Sequence, residues 1–183
     1  MKRHLAPDGR LLVLISGPVA CGKTTAARTL AAIARRYGLN AASIDLDDIV
    51  EMVAGNDWSR IQAKDRALAT QVASAIVGEL FASHMELVAV AGSTLSNSEW
   101  DDLLEPLNPR PKAFYALLRV SPAEAIRRAR NDPQRIHTKD PVLIEQLAAR
   151  IDWSVIRTQH IDLMTDGIDA DEVARILARE IFA

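Results

Sequence analysis

Residues Gly17-Pro18-Val19-Ala20-Cys21-Gly22-Lys23-Thr24 satisfy the pattern G-x-x-x-x-G-K-[ST], the phosphate-binding P-loop. Glycines let such a loop curl and turn its backbone N–H groups inward as a nest for an anion. The helix opening at Lys23 adds its positive N-terminal end. In this arrangement Lys23 reaches the β- and γ-phosphates of a nucleotide, and the Thr24 hydroxyl is placed to ligate Mg²⁺. The flanks agree. Leu11-Leu12-Val13-Leu14-Ile15 reads as a buried parallel strand. Residues 26–37 are rich in Ala and Arg without a breaker, which reads as a helix, and Gly38 ends it. The expected nucleotide contacts are therefore Gly17, Pro18, Val19, Ala20, Cys21, Gly22, Lys23, Thr24 and Thr25.

A chain of 183 residues is expected to form one domain with a real core. Its net charge of −2 offers no general attraction to nucleic acid or to an anionic membrane. No segment approaches the ~18 consecutive apolar residues of a membrane span. The single cysteine, Cys21, forbids an intrachain disulfide and fits a reducing cytoplasm. It reads either as a small loop residue or as a thiol of lowered pKa whose oxidation would block the loop.

Strand and helix patterns alternate along the chain. Strands are read at 41–44, 87–91, 114–120 and 160–164. Helices are read at 60–83, 100–107, from Ser121-Pro122 onward, at 141–150 and from 169 or 170 to 182. The 60–83 pattern puts Ala63, Ala67, Leu68, Val72, Ile76 and Leu80 on one side. Such alternation predicts an α/β fold, a parallel sheet covered by helices on both faces. Residues 131–140 are polar and breaker-rich and read as a loop between two helices.

Ligands of open α/β sheets sit at the carboxyl ends of the strands. The second strand delivers Asp45, Asp47 and Asp48 there. In an extended Asp45-Leu46-Asp47 the two carboxylates share a face. One, Asp45, is expected to hold Mg²⁺ through water, and Asp47 to take the proton of an attacking hydroxyl. Asp48 reads as a substrate contact or as a cap for the next helix. The third strand ends in Gly92-Ser93-Thr94, where many P-loop proteins carry a metal-directed aspartate. Ser93 and Thr94 are candidates for substrate contact, or else turn residues. Arg127 and Arg130 are helical neighbours that, with Arg135, can close over ATP as a lid and neutralise the transferring phosphoryl group. His137 reads as a loop residue, and Trp100 and Trp153 as packing anchors. Trp58 reads as a packing anchor or as a stacking contact for substrate, and Arg60 as a charged contact for an anionic substrate or as a surface residue.

These motifs, in order, resemble a small P-loop kinase of the nucleoside monophosphate kinase fold. The likeness is to the polynucleotide-kinase-like, zeta-toxin and chloramphenicol-phosphotransferase group. GPVACGKTT resembles its P-loop, IDLDD its second-strand acidic motif and AGSTLSNSEW its third-strand motif. RRARNDPQR resembles its lid, followed by DPVLIEQL, and MTDGIDADEV the segment that passes near adenine. Gly92 and Thr94 stand where the group often has aspartate and asparagine. The resemblance implies a three-layer P-loop NTPase fold with a five-stranded parallel sheet, order 2-3-1-4-5. It implies Asp47 as general base, a lid over about 127–141 and an acceptor-binding region over about 49–64.

The resulting expectation is a cytoplasmic phosphotransferase that uses ATP, or GTP, with Mg²⁺. It would move the γ-phosphate to a hydroxyl of a metabolite, nucleoside or antibiotic. Two alternatives stand beside it. A polynucleotide 5′-hydroxyl kinase would need a basic groove near Asp47. A regulatory ATPase without kinase activity would need no base poised at an acceptor.

Overall fold

The first strand, β1 (Leu11–Gly17), is buried along its whole length. An apolar run with no polar alternation can only sit in a sheet covered on both faces, because successive side chains point to opposite sides. Leu11, Val13 and Ile15 enter one core, and Leu12 and Leu14 enter the other. The structure, a computed structural model, describes residues 9–55, 57, 60–93, 96–132, 139–149, 151 and 160–182.

The sheet contains β1, β2 (Ala41–Asp45), β3 (Leu87–Ser93), β4 (Lys112–Arg119) and β5 (Ile161–Met164). Its order is β2-β3-β1-β4-β5, as the resemblance implied, and all four pairings are parallel. On one face lie α1 (Lys23–Arg36) and α7 (Ala170–Phe182), packed over the odd-numbered core of β1. On the other lie α2 (Leu46–Ala54), α3 (Ala63–Ala82) and α4 (Asn97–Leu104). Trp100 of α4 is fully buried there, the packing anchor expected of it. The fifth helix, α5 (Pro122–Asn131), is capped by the Ser121 side chain with Pro122 in its first turn. It packs with α6 (Pro141–Ala149) against the P-loop through Ala20, Ala125, Ala129 and Ile144. No helix among the described residues is long and apolar enough to cross a membrane.

Two expectations are corrected. Helix α3 buries Ala69, Thr70, Ala73, Ser74, Val77 and Phe81, whereas Leu68 and Ile76 are exposed. The buried face is offset from that stripe: Val77 and Phe81 enter the core, Val72 and Leu80 lie at its edge, and the small residues between let α3 approach its neighbours closely; the Ser74 hydroxyl donates to the Leu103 carbonyl at 2.8 Å. The chain is also not extended through Asp47. A helix begins at Leu46, with Asp45 as its cap: Asp45 Oδ1 accepts from the Asp47 N–H at 3.0 Å.

Candidate active site

Parallel register brings the critical strand ends together. Gly17, last in β1, lies opposite Ser93, last in β3, and Asp45, last in β2, lies opposite Ala91. The P-loop leaves β1 at Gly17, whose φ of 152° suits glycine. A Cβ there would meet the Leu118 carbonyl and sit 2.7 Å from Cys21 Sγ. Gly22 caps α1 in the left-handed region, and Ala20 holds φ 63°, a strained value for a residue with a side chain. Lys23 is buried and its Nζ donates to the Pro18 carbonyl at 3.0 Å, so the ammonium lies folded across the loop. Cys21 is buried as well, and burial pushes its thiol up. The low-pKa reading is thereby corrected: desolvation outweighs the nearby Lys23 and Arg128 charges.

Thr24 Oγ1 donates to Asp45 Oδ2 at 2.5 Å. Burial raises the Asp45 carboxyl above its usual range against the Thr24 bond, and the Asp47 charge adds to the rise. Asp47 stands two residues onward, in the first turn of α2, where the Ser93 hydroxyl lies 2.9 Å from both its oxygens and donates to the carboxylate. The two carboxylates therefore have separate partners, Thr24 for one and Ser93 for the other. Asp48, which does not cap α2, faces Arg28 of α1 across 3.9 Å, both side chains in solvent. Arg60 pairs with Asp57 at 3.0 Å and is 85 % exposed.

A cleft of about 430 Å³ opens beside the P-loop. Ala20, Gly22 and Thr25 form one wall, α5 another and residues 167–170 a third. Arg127 lines it, held by two bonds to Glu124 at 2.6 and 2.7 Å. Arg130 is exposed and outside that lining. Trp58, Thr94, Arg135, His137 and Trp153 lie outside the described residues.

The sequence profile of the shikimate kinase family matches residues 19–180. The chain belongs to the shikimate kinase family. Solved structures share its fold. A sugar kinase from Janibacter sp. is 14% identical, with a TM-score of 0.67 over 94% of this chain and 95% of that one. A Mycobacterium tuberculosis APS kinase in complex with AMPPNP and APS is 15% identical, TM-score 0.64, over 95% and 98%. A shikimate kinase from Acinetobacter baumannii in complex with shikimate is 19% identical, TM-score 0.57, over 93% and 92%. No curated protein matches the chain in sequence. The family match makes it a P-loop kinase, the broader part of the likeness read from its motifs.

For a member of the shikimate kinase family the Thr24–Asp45 pair fits Mg²⁺. The donors are oxygens, as that hard ion requires, and it typically takes one or two protein ligands beside substrate phosphates. Among the described residues no cluster of three or more His, Cys, Asp or Glu side chains could hold a metal by itself. Two features of this family member escaped the sequence reading. Arg128, between the arginines singled out, reaches the Ala20 carbonyl at 3.4 Å and Thr165 Oγ1 at 3.2 Å. Arg66 of α3 lies 3.5 Å from Glu99, whose other oxygen closes the cap of α4 on Ser96 at 2.7 Å. The Ser96-x-x-Glu99 capping box was a legible signal for the second; nothing local announced the first.

Proposed function

We propose that this protein is an ATP-dependent phosphotransferase that moves the γ-phosphate to a hydroxyl of a small molecule. The observation that carries the reading is the separation of two carboxylates at adjoining strand ends: Asp45 on the Thr24 hydroxyl and Asp47 on the Ser93 hydroxyl. One stands beside the phosphate loop and the other two residues beyond, bonded at the end of β3, as donor and acceptor sites in series would need.

Lys23 and the loop N–H groups would hold the phosphates, with Lys23 leaving the Pro18 carbonyl for the β- and γ-oxygens. Thr24 and Asp45 would hold Mg²⁺, which when bound neutralises charge on those oxygens. Asp47 would accept the proton of the attacking hydroxyl, its carboxylate aimed by Ser93. Arg127, bonded only to its own helix neighbour among the contacts described, can turn from Glu124 to the transferring group. Such a site works by positioning and fixed charge. The region 49–64 would shape the acceptor pocket, and 127–141 the lid, within one kinase domain.

A small acceptor is supported by the family and by the fold neighbours, which include a sugar kinase, an APS kinase and a shikimate kinase. The test is a transfer screen with γ-labelled ATP and Mg²⁺ against sugars, polyol acids, nucleosides and 5′-hydroxyl oligonucleotides, with Asp47→Asn as control. Label moving to one small-molecule class, and lost in the control, is the expected outcome. Transfer only to oligonucleotides, or ATP binding with no transfer to any acceptor, would overturn the reading.

A further inference from the structure

Helix α3 turns an uncharged face to solvent. A surface helix ordinarily carries charged and polar groups there, and α7 does so: its exposed positions include Asp171, Arg175, Arg179 and Glu180. The exposed positions along the middle of α3 are Ala67, Leu68, Gln71, Ala75 and Ile76. No residue from Ala67 to Gly78 is charged. Leu68 is 47% exposed and Ile76 36%, and Val72 between them is half-buried. Exposed charge returns only at the two ends, as Lys64 before the uncharged stretch and Glu79 after it. Among the described residues neither belongs to an ion pair. Lys64, Leu68, Gln71, Ala75 and Glu79 recur every three or four residues and so share one face of the helix.

The order of residues along this stripe is self-complementary. Laid antiparallel on a second copy, with the two-fold axis between Gln71 and Val72, Lys64 comes opposite the partner's Glu79. Ala67 comes opposite the partner's Ile76, and Leu68 opposite the partner's Ala75. Each large side chain then meets a small one, and each charge meets its opposite at both ends of the contact. A parallel pairing would instead set Lys64 against the partner's Lys64. We infer that this face of α3 is where two copies of the chain associate, as an isologous antiparallel pair of helices. Ala67 and Ala75 let the axes approach toward the near end of the ~8–10 Å range of helix packing. The charged ends set direction and register more than they add affinity, since exposed ion pairs contribute little. A stripe one helix wide falls at the small end of specific interfaces, so the pair forms at micromolar chain concentrations and comes apart on dilution. In dilute solution Leu68 therefore stays in water.

The test is sedimentation equilibrium of the full chain over a concentration series that reaches well above the micromolar range. The unaltered protein is expected to rise from the mass of one chain to that of two. Glu79→Lys should weaken association about tenfold, two surface attractions having become repulsions. Adding Lys64→Glu to that variant puts opposite charges together again and should restore association. Register is read by cross-linking in oxidant. Gln71→Cys, beside the axis, should form a disulfide between copies. Ala82→Cys should not, because antiparallel helices carry the two copies of that position ~30 Å apart. The native Cys21 is buried and takes no part. The two cysteine variants decide the matter alone if a charge variant does not fold. A chain that stays single throughout the series overturns the inference. So does a dimer that Glu79→Lys leaves intact or that the double variant fails to restore, and so does cross-linking of both cysteine variants, the mark of a parallel pair.

Discussion

The Thr24 hydroxyl and Asp45 Oδ2 lie 2.5 Å apart, joining the first turn of α1 to the end of β2. The same carboxylate caps α2 through its other oxygen. It does so at a cost, because burial raises its pKa and Asp47 adds repulsion. A carboxyl whose pKa is raised on folding binds its proton more tightly in the folded state. Its charge therefore weakens the fold as pH rises through the folded pKa, and has no effect well below the unfolded value. Asp45→Asn can still cap α2, since Asn caps about as well as Asp. It is expected to raise the thermal midpoint at pH 7 in the absence of nucleotide, the two proteins converging in acid. The same variant should need about tenfold more Mg²⁺ for half-maximal transfer, the usual scale for losing a group that orients a metal ligand. Thermal melts across pH and a magnesium titration check both halves.

Asp47 and Ser93 give the second prediction. Asp47→Asn keeps the size of the side chain and should leave ATP affinity within about twofold while lowering transfer by roughly 10²–10⁴, the range for a general base. Ser93→Ala leaves the carboxylate but removes its hydroxyl donor. A smaller fall in kcat is expected, about tenfold, the worth of one hydrogen bond to a charged group. Steady-state kinetics on the acceptor found by screening separate the two. An equal loss in both variants would make the pair structural rather than a base with its orienting group.

The fold was legible because its signals are local and redundant. β1 shows a fivefold apolar run ahead of a P-loop, and α5 shows a capping serine before proline, and both lie where those signals put them. The acidic segment was misread for a reason of competition. Asp45-Leu46-Asp47 has the composition of a strand end, yet Asp is also a strong helix cap, and the cap won at the first residue able to provide it. Arg128 was hidden differently. Its partners are carbonyls and one hydroxyl from segments that folding alone brings near, and backbone carbonyls leave no mark in sequence.

The face of α3 supplies a third prediction, drawn from the other misreading. Ala73 is fully buried, whereas Leu68, five residues earlier, is 47% exposed. Ala73→Leu forces three extra carbons into a close helix contact and should cost about 1–3 kcal/mol, as overpacking does. Leu68→Ala removes a side chain already half in water and should change stability by less than about 0.5 kcal/mol. Urea unfolding of both variants checks the assignment. If Leu68→Ala costs more than Ala73→Leu, the helix is rotated from the face described.

Glu124 carries the last prediction. Bonds from Arg127 and Arg128 pull its carboxyl down from 4.5 to about 2. A carboxylate with a depressed folded pKa stabilises the fold above its unfolded value, and that contribution disappears as pH falls toward the folded one. The window here runs from 4.5 down to about 2. Glu124→Gln should therefore lower the thermal midpoint at pH 7 and leave it closer to the unaltered protein at each step down through that window. Salt separates the two arginines. The Arg127 pair, whose arginine is mostly in solvent, is screened by added salt, and the more enclosed Arg128 pair is screened less. Raising the salt should shrink the difference between Glu124→Gln and the unaltered protein without abolishing it. A difference that vanishes in salt would mean that Glu124 holds only the exposed arginine, and that Arg128 keeps its place through the carbonyls alone.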